Sequence, residues 1–402
     1  MPEARPVSTR PANAGRKLIY LVTEDWYFWS HRLPMARAAR EAGFEVAVAT
    51  RVDKHGPRIE AEGFRVLPLS WQRRSINPAG ALSAVAEIAA LYRREAPDLV
   101  HHVAMKPVLL GGLAAGLAGV PAVVNALTGL GSAFLGTGGL KSRVAGAAAR
   151  PLLRTVLKRP NSLTILQNED DRKTLVAAGL LPDERAWIIR GSGVDTAHYQ
   201  VLPEPPEPPV TVGCVARLLA DKGVGPLVEA QQTLRARGLD VRLLLAGTPD
   251  PENPTSVTQA ELDRWAALPG VELPGHSADV RQVWARCHIA ALASRREGLP
   301  KSLLEAAACG RAIVATDVPG CREVAHAGEN ALLVPPDDAA ALAEALEVLV
   351  RDAALRRRFG AASRRLVESD MASDRVGAKT VELYHRLLTS SRHGTAPVAE
   401  AS

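Results

Sequence analysis

A proline-rich run, LPEPPEPP at 202–209, separates two stretches that carry the same alternating strand and helix pattern. Proline fixes φ and lacks a backbone N–H, so this run suits neither a helix nor an interior strand and is expected to be a stiff extended linker. Before it, short apolar runs suited to buried parallel strands fall at 17–23, 45–50, 65–69, 98–102, 122–125 and 163–167. A helical stretch over 31–42 is closed by Gly43 in the position of a C-cap. After the proline run the pattern restarts, with strands at 210–215, 241–246, 289–293, 312–316 and 331–334 and a helix over 225–238. Repeated βα units imply an α/β fold of two doubly wound parallel sheets. Such sheets bind ligands at the carboxyl ends of their strands, so two in tandem are expected to face each other across a cleft.

The boundaries follow. A disordered tail is expected over 1–16, a first Rossmann-like domain over 17–201, the linker over 202–209 and a second domain over 210–372. A final helix over 373–389 is expected to pack back on the first domain, with a disordered tail at 390–402. The 402 residues are too many for one ordinary core, in keeping with two domains.

No signal peptide is read in residues 1–16, which are rich in Pro, Ala and Arg and lack an apolar core. The uncharged stretch 107–124 contains four glycines and Pro121, and reads as a small-residue helix followed by a buried strand, not a membrane span. Four cysteines lack paired CxxC spacing and are expected to be buried thiols. A cytoplasmic protein is therefore expected, peripherally associated with the inner face of the cell membrane.

Charge is uneven. Up to Pro203 the chain holds 26 Lys and Arg against 17 Asp and Glu, whereas the remainder is slightly acidic. A basic first half points to an anionic partner. Aromatics are only 4%, poor material for stacking bases, so no nucleic acid is expected. Between 133 and 159 lie Lys141, Arg143, Arg150, Arg154, Lys158 and Arg159 without an acidic residue, interleaved with Ala, Leu and Val. This segment is expected to rest on an anionic membrane surface, with a solvated basic helix as the alternative.

The most informative motif is REGLPKSLLEAAACG at 296–310. It follows a strand, turns at Gly298 and starts a helix at Pro300, a residue suited to the first helical position. The free N–H groups of such a turn form an anion site favoured by the helix dipole. Glu297 precedes the helix and Glu305 lies more than a turn inside it, placed to accept bonds from hydroxyls. Alone, the E-x7-E spacing is weak, because two common residues often fall at such a distance. VGCVARLLADKG at 212–223 adds Arg217 and Lys222 at the end of the second domain's first strand, where two cations neutralise a diphosphate.

Together the two segments resemble the large retaining glycosyltransferase family numbered four, whose fold is GT-B. The resemblance rests on Gly213, Arg217, Lys222 and Gly223, then Glu297, Gly298, Pro300 and Glu305. Gly191-Ser192-Gly193-Val194-Asp195 and Pro319-Gly320 with Glu323 extend it over nearly the whole chain. It implies a nucleoside diphosphate sugar donor, with Arg217 and Lys222 on the diphosphate and Glu305 on the ribose. Glu297, Gly298, Leu299, Pro300, Lys301 and Ser302 hold the remaining donor groups, and Glu297 helps stabilise the transition state.

The first domain departs from the family pattern. The loop after its first strand, Glu24 to Arg32, has no glycine but holds Asp25, Trp26, Tyr27, Phe28, Trp29 and His31, expected either to line an acceptor pocket or to pack in the core. His101, His102 and Lys106 end a strand and are candidate catalytic residues, although Val103 stands where relatives carry a second histidine. Thr128, before Gly129-Leu130-Gly131, is a further acceptor-side candidate.

The expected function is retaining transfer of a sugar, hexosyl or N-acetylhexosaminyl, from a donor expected to be UDP-linked. The resemblance points to a polyprenyl-diphosphate-linked glycan acceptor in cell-surface polysaccharide synthesis. No DxD-like motif sits in a suitable loop, so neither cofactor nor metal is expected. The alternatives are a nucleotide-sugar 2-epimerase on a similar fold, and a non-catalytic binder of anionic ligands. A nicotinamide-dependent oxidoreductase is disfavoured because no G-x-G-x-x-G follows the first strand.

Overall fold

A computed structural model describes residues 13–71, 78–130 and 140–393. The chain forms two compact units, one built from Met1–Ser192 with Val376–Ser402 and the other from Gly193–Arg375. Residues 1–12 and 394–402 of the expected tails lie outside the described residues, as does Gly131. So do the side chains of Lys141 and Arg143.

The first unit holds a parallel sheet of β1 (Lys17–Glu24), β2 (Glu45–Arg51), β3 (Arg65–Pro68), β4 (Leu99–Val103), β5 (Ala122–Leu127), β6 (Ser162–Leu166) and β7 (Ala186–Ile188). Their spatial order is β3-β2-β1-β4-β5-β6-β7. Six of these strands were expected; β7 was not, being only three residues long with one of them fully buried. The expected helix over 31–42 is present as Leu33–Glu41, and a further helix, Asp25–His31, precedes it. The stretch 107–124 is a helix, Met105–Ala118, followed by β5. That helix uses small residues for close approach. A Cβ on Gly111 would lie 2.4 Å from Leu21 Cδ2, and one on Gly112 would lie 2.3 Å from Val156 Cγ1.

The final helix, Ser373–His393, returns the chain to this unit. Val376, Leu383, Tyr384 and Leu387 join the same core as Leu18, Tyr20 and Phe44, as expected for a helix packing back. Burying such side chains contributes about 1.5–3 kcal/mol each. The helix continues through 390–393, where a disordered tail was expected. At the other end, Asn13 is buried and its side chain donates to the Ala42 carbonyl, so the ordered chain begins before the expected boundary at 17.

The second unit repeats the arrangement. β8 (Val210–Val215), β9 (Val241–Ala246), β10 (Val271–Gly275), β11 (Ile289–Leu292), β12 (Ala312–Thr316) and β13 (Ala331–Val334) are all parallel, in the order β10-β9-β8-β11-β12-β13. Here too one strand escaped the sequence reading, β10, whose sequence VELPG is mostly half-buried. The proline-rich run is pinned to this unit and is not a free linker. The Leu202 N–H donates to the Cys309 carbonyl, and the buried Arg311 guanidinium donates to the carbonyls of Leu202 and Pro203. All four cysteines are buried free thiols, as expected.

Candidate functional site

In the second unit the chain leaves β8 toward β9 on one side, and β11 lies on the other. The order of connection therefore reverses between β8 and β11, and a crevice opens at their carboxyl ends. Beyond β8 the chain makes a short 3-10 turn, Ala220–Lys222, and then Gly223 adopts φ 67°, a left-handed conformation that side chains disfavour. A Cβ at Gly223 would lie 2.0 Å from the Ala293 carbonyl oxygen. Glycine thus lets the loop carrying Lys222 press against the end of β11.

That approach brings Lys222 onto Glu297. Lys222 Nζ donates to Glu297 Oε1 at 2.5 Å, and Ser294 Oγ donates to the same oxygen at 2.6 Å. The Ser294 carbonyl in turn accepts from Thr316 Oγ1 at the end of β12. From the far side, the turn at Pro319–Arg322 closes on the loop, where a Cβ on Gly320 would lie 2.5 Å from the carbonyl oxygens of both Glu297 and Gly298. The Pro319-Gly320 motif therefore belongs to the same construction.

Arg217, two residues beyond β8, pairs with Asp250 at 2.7 Å and stays half-exposed. Gly298 and Leu299 precede the helix Lys301–Ala308, which carries Ser302 in its first turn. It begins one residue later than expected, with Pro300 as N-cap. The first amides of any helix lack a carbonyl partner within it, so this end favours an anion.

Glu305 projects from the inner side of this helix and is buried. Tyr199 OH donates to its Oε1 at 3.1 Å, and Lys301 Nζ stands 3.5 Å from the same atom. Burial raises the Glu305 pKa above the usual carboxylate value, opposed by the Lys301 charge and the tyrosine bond. Glu297 and Glu305 share one pattern: each is held through Oε1. Tyr199, Ser294 and Asp250 were not found in the sequence. Only the Gly193-Val194-Asp195 turn just before Tyr199 carried a signal.

The first unit treats its candidates differently. His101 and His102 lie within β4 and are fully buried, correcting the expectation that they end the strand at a ligand edge. His101 Nδ1 bonds Tyr384 OH at 2.6 Å, its ring stacks on Tyr20, and the Tyr20 and Tyr384 hydroxyls meet at 2.7 Å. His102 bonds Asn125 Oδ1 at 3.0 Å and Tyr92 OH at 3.1 Å. Burial holds the His101 pKa well below the ordinary value and lowers that of His102 to about 4. Both are neutral core residues.

The aromatic segment forms a helix, not the expected loop, with Asp25 and Phe28 buried. Phe28 is buried against Tyr20 and Phe64. Tyr27 stacks on His31, and the Arg58 guanidinium lies over Trp29. Trp26 meets Tyr27 edge-on. Asp25 is buried, and its Oδ2 accepts the N–H groups of Asp53, His55 and Gly56 at 2.8, 2.7 and 3.1 Å. It anchors the turn before the helix Gly56–Ala61.

Lys106 lies in the first turn of Met105–Ala118, with Nζ 5.5 Å from the Trp71 ring centre. It lines a cavity of about 250 Å³ with Ser70, Ser83 and Glu87, and burial lowers its pKa. Thr128 is half-buried just beyond β5. Leu153, Val156 and Leu157 of the helix Leu140–Leu157 are buried, while Arg150, Arg154 and Lys158 are exposed one turn apart. Arg159 is not part of that face: its guanidinium donates to the Val120 carbonyl.

Comparison with known proteins accords with this geometry. Residues 209–352 match the model described as glycosyl transferases group 1, and residues 17–168 match glycosyl transferase 4-like. The chain belongs to the family 4-type glycosyltransferases. A Campylobacter jejuni protein, N,N'-diacetylbacillosaminyl-diphospho-undecaprenol alpha-1,3-N-acetylgalactosaminyltransferase, is 27% identical over 81% of this chain and 87% of its own length. The Staphylococcus aureus capsular polysaccharide biosynthesis glycosyltransferase CapM is 22% identical over 94% of this chain and 99% of its own. The Anabaena protein HepE, solved in complex with UDP-glucose, superposes with a TM-score of 0.72 at 18% identity over 92% of this chain and 99% of its own. Two parallel-sheet units of this kind constitute the GT-B fold. No helix among the described residues is long and apolar enough to cross a membrane.

Proposed function

We propose that the protein transfers a hexosyl or N-acetylhexosaminyl group from a UDP-linked donor to a polyprenyl-diphosphate-linked glycan, with retention of configuration, in cell-surface polysaccharide synthesis. The observation that carries this reading is the Lys222–Glu297 pair at the crevice between β8 and β11, with Arg217 beside it. Lys222, Arg217 and the amino end of the helix Lys301–Ala308 neutralise the diphosphate as the glycosidic bond breaks. They take the part a divalent cation plays elsewhere, so transfer proceeds without metal. Glu297 holds the transferred sugar through Oε2, and Glu305 holds the ribose. Retention arises from attack on the face the nucleotide leaves.

The acceptor class is supported by the diphospho-undecaprenol glycan in the name of the Campylobacter relative, and the UDP donor by the HepE complex. Anionic lipid attracts the exposed face of Arg150, Arg154 and Lys158. Leu153, Val156 and Leu157 on the other side of this segment are already consumed by the core, so its attachment is electrostatic. It places the enzyme at the inner face of the cell membrane.

The test is incubation with source membranes and labelled UDP-, GDP- and dTDP-sugars, with and without EDTA. Label is expected in extractable lipid from the UDP donor, undiminished by EDTA and lost with Lys222→Ala. Label that persists with both Lys222→Ala and Glu305→Ala refutes the site. Release of free sugar without any acceptor identifies an epimerase instead.

A further inference from the structure

We propose that Tyr199 is a positioning residue for the donor nucleotide: its hydroxyl occupies Oε1 of Glu305 and so leaves Oε2 fixed to accept a ribose hydroxyl. This rests on the assignment of Glu305 to the ribose. The segment that presents Tyr199 is built for that purpose and includes a sequence motif to which the donor site otherwise assigns no role. Gly193 has φ 66°, and a Cβ there would lie 2.7 Å from Ser373 Cα. The Val194 N–H bonds the Met371 carbonyl, and the Val194 carbonyl accepts from Ser373. Asp195 Oδ1 then accepts the N–H groups of Ala197 and His198 at 3.0 and 2.9 Å, and the Tyr199 N–H closes the turn on the Asp195 carbonyl at 2.8 Å.

A second tie locks this turn to the helix that bears Glu305. The Arg364 guanidinium donates to the carbonyls of Tyr199 and Ala308 at 2.5 and 2.8 Å, and to that of Thr196 at 3.0 Å. Ala308 is the last residue of the Glu305 helix. Tyrosine and glutamate are thus cross-linked both by their side chains and through Arg364. The charged and titratable groups facing the pair are Lys301 and His198 at Glu305, Cys309 between them, and Asp279 and Arg281 beside Tyr199. Burial pushes the Glu305 pKa up, and the tyrosine bond holds it down. Loss of the hydroxyl therefore moves protonation of Glu305 to higher pH. A protonated carboxyl is the poorer acceptor for ribose, so binding then fails earlier as pH falls.

Calorimetric titration of the full chain with UDP and GDP from pH 5 to 8 tests this with wild type, Tyr199→Phe, Glu305→Gln and the double variant. Tyr199→Phe is expected to weaken the better nucleotide roughly three- to tenfold, the scale of one ordinary hydrogen bond. The acid limb of its pH profile is expected to shift upward, and the double variant to bind no more weakly than Glu305→Gln. If Glu305→Gln weakens binding while Tyr199→Phe leaves affinity and pH profile unchanged, only the role of Tyr199 falls. If Glu305→Gln leaves binding intact, or the wild type binds neither nucleotide, the ribose assignment falls and the role of Tyr199 with it. Equal weakening by Tyr199→Phe in the Glu305→Gln background, with a lowered melting temperature, makes the tyrosine part of the scaffold and overturns the proposal.

Discussion

The two sheets place their fourth-in-sequence strands, β4 and β11, beside their first strands, β1 and β8, yet the polar residues around these strands meet opposite fates. In the first unit His101 and His102 lie inside β4 and become core, one bonded to Tyr384 and the other to Asn125 and Tyr92. In the second, Ser294 and Glu297 lie beyond the end of β11, and Glu297 meets Lys222 from the loop after β8. A side chain within an interior parallel strand is covered on either face by a helical layer. Only past the last paired residue does the chain reach the edge where ligands bind. A displacement of a few residues along one strand thus separates a structural histidine from a carboxylate at the sheet's carboxyl edge.

Substitutions on either side of that divide can break the comparison. Lys222→Ala and Glu297→Gln are expected to lower the rate of labelled sugar transfer by about 10²–10³, the range seen when one group stabilising developing charge is removed, with little change in melting temperature. A melting temperature that falls in step with the rate returns the pair to the scaffold. Gly223→Ala is expected to cost about 1–3 kcal/mol in stability, since a Cβ would meet the Ala293 carbonyl, and to weaken nucleotide binding as Lys222 is pushed away. Chemical denaturation and nucleotide titration report the two effects separately.

For the histidines the expectation is reversed. His102→Leu should lower stability by about 1–3 kcal/mol, because the Asn125 and Tyr92 groups lose a buried partner, while nucleotide affinity is unchanged. The pH dependence has a definite sign. The folded pKa of His102 is depressed from 6.5 to about 4, so the unfolded chain takes up its proton first as pH falls. Stability is fully present above about pH 6.5 and declines toward pH 4. His102→Leu should flatten that part of the curve, and an unaltered curve assigns the decline to other groups. The smallest effect is expected on the basic helix face. Arg154→Glu with Lys158→Glu should weaken sedimentation with anionic vesicles by about 1 kcal/mol per charge, leaving nucleotide affinity untouched.

The doubly wound architecture was legible because parallel strands are buried on both faces and read as continuous apolar runs, as KLIYLVT and VTVGCV do. β7, apolar but only three residues long, and β10, which lacks such a run, were missed. Glu297, Glu305, Arg217 and Lys222 stood out because each follows a strand or a helix start at fixed spacing. Tyr199 did not, since its partner lies 106 positions away and only tertiary folding joins them. The histidines misled for the same reason: a polar residue near a strand end looks alike in sequence whether it is inside the last hydrogen-bonded pair or just past it.

The proline-rich run has a further consequence. His288 accepts the Thr211 N–H at Nδ1, so its other nitrogen carries the proton and donates to the Pro205 carbonyl at 3.0 Å. The buried Arg356 lies against Glu204 and Glu207. This stretch therefore closes over Arg311, Arg356 and His288 like a clasp. A fragment of the second unit cut to begin at Val210 would expose Arg311, Arg356 and His288 together and be prone to unfold, whereas one begun at Gly193 keeps them shielded. The same closure should make a segment that looks, from its prolines, like the natural place for a protease to enter one of the slowest to be cleaved.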